Sequence, residues 1–261
     1  MALTSIDLQY VVSGLLVGLL VGQTGVGGGS LMTPLLILLF GMHPATAVGT
    51  DLLQASLTKT AGSLVHGFNR TVNWRLVARL AAGSLPATAV TLFIASRYDL
   101  LDRHSEALLA VTLGLVLIIT AASLLLRESI LTKLSGRISP MSERRTALLT
   151  VVTGLVIGVL VSLTSIGAGA IGVTAMLLLY PKLPTRVIVG SDIAHAVPLT
   201  LLAGIGHLIM GSVDLHLMTV LLLGSVPGVV IGSTLAAKLP EWVVRPVLAL
   251  VLIVVGVRLV V

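Results

Sequence analysis

Residues 11–40 read VVSGLLVGLLVGQTGVGGGSLMTPLLILLF, and residues 151–180 read VVTGLVIGVLVSLTSIGAGAIGVTAMLLLY. Twelve of the thirty positions are identical. Chance in a chain rich in Leu, Val and Gly would give roughly four, so the stretch is an internal repeat. Each copy is an apolar run, a small-residue interruption, and a second apolar run at 31–40 or 171–180. As a helix, ten residues rise about 15 Å, roughly half the hydrocarbon thickness of a bilayer. The interruptions are Thr24-Gly25-Val26-Gly27-Gly28-Gly29-Ser30 and Thr164-Ser165-Ile166-Gly167-Ala168-Gly169-Ala170. Glycine disfavours helix by roughly 1 kcal/mol relative to alanine. Inside a membrane the backbone groups it frees must find partners in protein or water.

After a one-residue slip the repeat continues. Gly49, Asp51, His66, Gly83, Ser84 and Pro86 meet Gly190, Asp192, His207, Gly224, Ser225 and Pro227. Shared hydrophobicity does not align Asp, His and Pro. Hydrophobic residues make up 56% of the chain and charged residues 10%, against roughly 25% charged in a soluble domain. So apolar a chain needs the bilayer as solvent. Apolar runs fall at about 6–22, 31–40, 45–67, 74–96, 107–126, 146–162, 171–180, 187–210, 215–237 and 242–261. The pattern predicts an all-α polytopic membrane protein with about eight transmembrane segments in two homologous repeats, each with a glycine-rich broken first helix. Residues 1–126 form the first repeat, 127–145 a basic linker, and 146–261 the second repeat. Met1 to Gln9 lacks the basic start and cleavage site of a signal peptide.

The net charge of +6 sits in short loops, the pattern of membrane orientation signals rather than of a nucleic-acid partner. The linker holds Arg127, Lys133, Arg137, Arg144 and Arg145, which places it in the cytoplasm. Arg70, Arg75 and Arg79 then fall on the same side. Lys182 and Arg186 join them if the run at 171–180 turns back to the side it came from. That arrangement makes the repeats inverted. Counting each broken segment as one full span makes them parallel and puts Lys182 and Arg186 outside. The charge bias favours the inverted form.

Several glycines mark close packing: Gly14, Gly18 and Gly22, Gly154 and Gly158 before Ser162, and Gly224, Gly228 and Gly232 follow a small-xxx-small spacing. The two interruptions carry a different expectation. A half-helix starting near mid-membrane presents free N–H groups and a positive dipole end to an anion. Paired breaks in two repeats point to a transporter site. The predicted substrate ligands are Thr24, Gly25, Gly27, Gly28, Gly29, Ser30, Thr50, Thr164, Ser165, Gly167, Gly169 and Ser191. Asp51 and Asp192 stand in apolar runs, where an ionisable group is a functional candidate. A carboxylate repels an anion unless protonated, so Asp51, Asp192 and His195 suit proton coupling. Lys59 is a candidate anion ligand or a snorkelling lysine. His66, His207, Trp74 and Trp242 read as interfacial. No catalytic set, cofactor motif or metal site stands in the sequence, and the chain has no cysteine.

The break after the first helix, the stretch Pro44-Ala45-Thr46-Ala47-Val48-Gly49-Thr50-Asp51 and the repetition of both resemble the sulfite exporter TauE/SafE family over essentially the whole chain. The resemblance implies a permease of the bacterial inner (plasma) membrane for sulfite, sulfonates or related organic acids, usually an exporter. It puts the site on Thr24 to Ser30, Gly49-Thr50-Asp51, Thr164 to Gly169 and Gly190-Ser191-Asp192. Lys59, His195 and the Thr-Ser-Ile-Gly-Ala-Gly form of the second motif are not placed by the family resemblance. The expected function is secondary transport of a small anion by alternating access, driven by protons or the membrane potential. The rival readings are a passive anion channel and a non-transporting scaffold or enzyme subunit.

Overall fold

A computed structural model describes residues 5–24, 29–68, 71–98, 106–135, 142–167, 169–235 and 241–261. Its described elements are all helical: α1 (Ser5–Thr24), α2 (Gly29–Phe40), α3 (Pro44–Phe68), α4 (Trp74–Arg97), α5 (Glu106–Ser135), α6 (Glu143–Thr164), α7 (Ala170–Leu179), α8 (Thr185–Ile209), α9 (Leu215–Leu235) and α10 (Glu241–Val260). Residues 25–28 of the first break, Ala168 of the second, and the side chains of Thr24, Ser30 and His66 lie outside the described residues.

Five helices among the described residues are long and apolar enough to cross a membrane: Trp74–Arg97, Ala107–Ser129, Glu143–Thr164, Thr185–Ile209 and Leu215–Gly232. Their outward faces carry exposed Phe93, Ile119, Leu155 and Leu223, an apolar surface of the kind that faces lipid. The chain is a multi-pass membrane protein. α3 falls outside that set because Asp51, Gln54 and Lys59 break its apolar run. Local chemistry sets several boundaries. Asn73 accepts the Leu76 N–H and caps α4, and Ser142 accepts the Arg145 N–H and caps α6. α5 runs on to Ser135, well into the segment read as linker.

Helix pairing follows the repeat. α1 packs on α9 and α4 on α6, while α3 crosses α8 and α5 crosses α10. Glycines make the first two contacts. A Cβ on Gly14 would stand 2.5 Å from the Leu221 carbonyl oxygen, and one on Gly18 2.5 Å from that of Ser225. Gly228 meets Leu15 and Gly232 meets Leu19 in return. Gly154 and Gly158 sit equally close to Leu80 and Ser84. Both registers advance together, so α1 runs parallel to α9 and α4 parallel to α6. Gly49 lies against His207, and Gly204 against Leu53; here one number rises as the other falls, so α3 and α8 are antiparallel.

Core clusters obey the same correspondence. Leu36, Ala47, Leu217 and Leu221 form part of one cluster. Their repeat equivalents, Met176, Ile188, Leu76 and Leu80, form another. A third cluster around Leu117, Leu199, Ala203 and Leu252 joins the halves.

The short helices fold back. Tyr180, at the end of α7, accepts a bond from Arg79 at 3.2 Å and shares one with Thr150 at 2.8 Å. Arg79 also pairs with Glu143 at 2.9 Å. The end of α7 therefore lies beside the starts of α6 and α4. In the first repeat, Phe40 at the end of α2 packs at a tilt of 51° against Tyr10 near the start of α1, ring centroids 4.5 Å apart. Tyr10 and Phe40 are the repeat equivalents of Thr150 and Tyr180.

Candidate functional site

The second break supplies the best-defined geometry. Ser165 ends α6 in the left-handed region at φ 60, and Gly167 follows at φ 118, a conformation that glycine adopts without strain. Thr164 stabilises the break from within: its hydroxyl donates to the Leu160 carbonyl and accepts the Ile166 N–H at 3.1 Å. α7 then starts at Ala170, with Gly169 in the cap position.

The Ser165 hydroxyl reaches out of the break and donates to Asp51 Oδ2 at 2.8 Å. Thr33 of α2 donates to the same oxygen at 2.7 Å. Asp51 is 1% exposed. One carboxylate on α3 thus ties the folded-back helix of its own repeat to the break of the other. Two charge-dipole hydrogen bonds offset the cost of burying it. Ser165 and Asp51 are predicted site residues that the fold brings together. Thr33, in the apolar run Leu31-Met32-Thr33-Pro34, was not foreseen, and nothing in that run marks it.

The equivalent centre in the second repeat has diverged. Asp192 is buried and its Oδ1 has no hydrogen-bond partner. The positions equivalent to Thr33 and Ser165 are Val173 and Gly25, neither of which carries a hydroxyl. Gly172 leaves room at this carboxylate; a Cβ there would stand 2.7 Å from Oδ1. Lys59 is close enough for its charge to act on Asp192, Asp51 and His195. It is half-buried in α3, near the point where the α3–α8 register brings the two repeats together. His195 Nε2 and Ser84 Oγ share a hydrogen bond at 2.7 Å. The Gln54–Ser225 pair at the equivalent positions does not bond: Gln54 Oε1 and Ser225 Oγ are both buried and unpartnered.

Thr50 and Ser191, predicted as anion donors, occupy matched structural positions. Thr50 Oγ1 accepts the Asp214 N–H at 3.0 Å, and Ser191 Oγ accepts the Asn73 N–H at 2.8 Å. Each hydroxyl holds the loop that precedes α9 or α4. Thr164 is likewise engaged in its own break. The predicted ligands Gly25, Gly27 and Gly28 lie outside the described residues; Thr24, Gly29 and Ser30 are described in backbone only.

His207 departs from its interfacial reading. It is fully buried, and its Nε2 donates to the Ser162 carbonyl at 2.9 Å. Gly49, lacking a side chain, lets α3 close over it. Trp74 is exposed at the start of α4, as an interface anchor would be.

The family model for "Sulfite exporter TauE/SafE" matches residues 10–259. The chain belongs to this family. It is 40% identical over 257 residues to the "Probable membrane transporter protein YjnA" of Bacillus subtilis (strain 168), covering 97% of this chain and 100% of that one. It is 29% identical over 235 residues to the "Probable membrane transporter protein YdhB" of the same organism, covering 88% and 90%. No solved structure matches the chain. Family and relatives identify a membrane transporter and not an enzyme.

Proposed function

We propose that this TauE/SafE member is a secondary carrier of a small oxyanion of the sulfite or sulfonate class, working by alternating access in the bacterial inner membrane. The observation that carries the reading is the Ser165–Asp51–Thr33 arrangement. It links the second break, α2 and α3 at one buried carboxylate. While Asp51 is charged, it occupies the Ser165 hydroxyl, a donor an anion would use. Neutralising Asp51, in the simplest case with a proton, releases that donor and removes the repulsion. Anion and cation then enter together, which is how coupling arises from two local bonds.

The substrate sits between the breaks, near the N-termini of α2 and α7, with Gly167 and Gly169 giving close backbone approach. Sulfite and sulfonates fit because several oxygens can share several N–H donors. The repeats, 1–126 and 146–261, are inverted about an axis in the membrane plane. Antiparallel α3 and α8, and the return of α7 toward the start of α6, support this. Residues 127–145 lie in the cytoplasm, joined there by Arg75, Arg79, Lys182 and Arg186. Alternating access is then the exchange of matched contacts, Tyr10–Phe40 on one side and Thr150–Tyr180–Arg79 on the other.

The test is efflux of labelled sulfite from proteoliposomes with and without an imposed pH gradient. Protein-dependent efflux, competed by a second anion and enhanced by the gradient, is expected. Absence of flux above empty liposomes, from folded protein, removes sulfite; sulfonates and small carboxylates are then compared in the same assay. Fast flux that no counter-gradient can drive uphill would mean a channel.

A further inference from the structure

A cavity of about 20 Å³ lies between α1, α2, α3 and α9. That is room for one water-sized occupant. Its polar wall is Asp51, Gln54, Thr58 and Ser225. Among the described residues, both hydrogen bonds to Asp51 fall on Oδ2. Gln54 Oε1 and Ser225 Oγ have no partner although both residues are more than nine-tenths buried. Thr58 spends its proton on the carbonyls of Gln54 and Ala55, so its oxygen faces outward as an acceptor. The cavity wall therefore offers oxygen ligands to a cation: one carboxylate, one amide oxygen and two hydroxyls, that of Ser225 still free to turn its lone pairs inward.

The repeat makes this a difference rather than a generality. At the equivalent place in the other half, His195 replaces Gln54 and bonds Ser84 directly. That copy closes on itself.

We propose that this cavity is a sodium site, with Asp51 Oδ1, Gln54 Oε1 and Ser225 Oγ as ligands and Thr58 Oγ1 at its edge. Hard oxygen donors suit an alkali or alkaline-earth cation. A single carboxylate balances a single charge, and the described residues hold no cluster of His, Cys, Asp and Glu for a multivalent metal. A water-sized void suits sodium over the larger potassium. The proposal rests on the transport reading only for its purpose: sodium would neutralise Asp51 and serve as the coupling cation in place of a proton.

The test needs no substrate flux. Full-length protein in detergent is assayed for retention of radioactive sodium, and for thermal unfolding in sodium, potassium and choline chloride at equal ionic strength. Sodium retention displaced by unlabelled sodium but not by potassium, with a higher melting temperature in sodium alone, is expected. Ser225→Ala and Gln54→Leu should each raise the half-saturating sodium concentration by about tenfold, the loss of one ligand to a charged group. Gln54→Glu, which keeps an oxygen ligand, should retain binding. Equal melting in all three salts with no retained sodium means a water-filled cavity and overturns the site. So does sodium binding that survives both Ser225→Ala and Gln54→Leu unchanged. Failure here leaves a proton-coupled carrier standing, and a failed efflux assay leaves sodium binding measurable.

Discussion

Asp51 is the residue at which local chemistry and the proposed mechanism meet. Asp51→Asn keeps an oxygen that can accept from Thr33 and Ser165, so the protein should fold and insert. It removes the charge, so sulfite flux should lose its response to an imposed proton or sodium gradient in the proteoliposome assay; an undiminished response would take coupling away from this side chain. Thr50 and Ser191 make a different case, because they bond backbone N–H groups of the loops at Asp214 and Asn73. Thr50→Val and Ser191→Ala should each cost about 1–3 kcal/mol by leaving a donor unmet, read as a lowered melting temperature with substantial flux retained. Normal melting with abolished flux would make them substrate ligands instead. Asp51, Asp192 and Ser165 were legible in the sequence because charge and glycine-rich breaks stand out in apolar runs. Thr33 was not, because a threonine in a membrane helix usually bonds its own backbone and nothing local shows when it does not. Thr120 and Thr174 do so here.

At the scale of elements, glycine serves two separable purposes. Gly154 lies in the α4–α6 crossing, where a side chain would drive into Leu80 backbone. A Cβ on Gly167 would meet its nearest neighbours at 3.8 Å, an ordinary contact, but the residue has a φ of 118. Gly154→Ala should destabilise the bundle by about 1–3 kcal/mol through overpacking, visible as early thermal unfolding in detergent. Gly167→Ala carries a backbone penalty of about 1–3 kcal/mol confined to the break. It should leave assembly intact while impairing flux. If both variants melt alike and both transport, the break has no special role. The small-xxx-small spacing announced the first purpose in the sequence, and the short apolar runs announced the second. Which helix each glycine faced was not announced, since spacing fixes a face but not a neighbour.

For the whole molecule the decisive quantity is topology. Inverted repeats place Gly211 and Val261 on the outer side and Ser142 on the cytoplasmic side. Parallel repeats put Val261 and Ser142 on the same side. The chain has no cysteine, so single substitutions Ser142→Cys, Gly211→Cys and Val261→Cys report cleanly. In intact cells an impermeant maleimide should label Gly211→Cys and Val261→Cys but not Ser142→Cys. Protection of both Gly211→Cys and Val261→Cys in intact cells, with labelling once the cells are permeabilised, would overturn the inverted arrangement.

The sequence by itself determined the solvent, the helical class, the duplication and the position of the second break. Each follows from composition or period, which are properties of the chain read in order. Family membership was equally legible, because the 24–30 and 44–51 stretches carry it. Only the tertiary structure decided that Asp51 meets Ser165, a partner more than a hundred positions away, while Asp192 Oδ1 has no hydrogen-bond partner. Nor could the sequence tell that His207 is buried rather than interfacial, or that His195 closes on Ser84 where Gln54 and Ser225 stay apart. Those outcomes depend on how α3 crosses α8 and how α1 and α4 seat on α9 and α6. Long-range packing sets these distances, and a repeat that is nearly symmetric in sequence is free to differ in them.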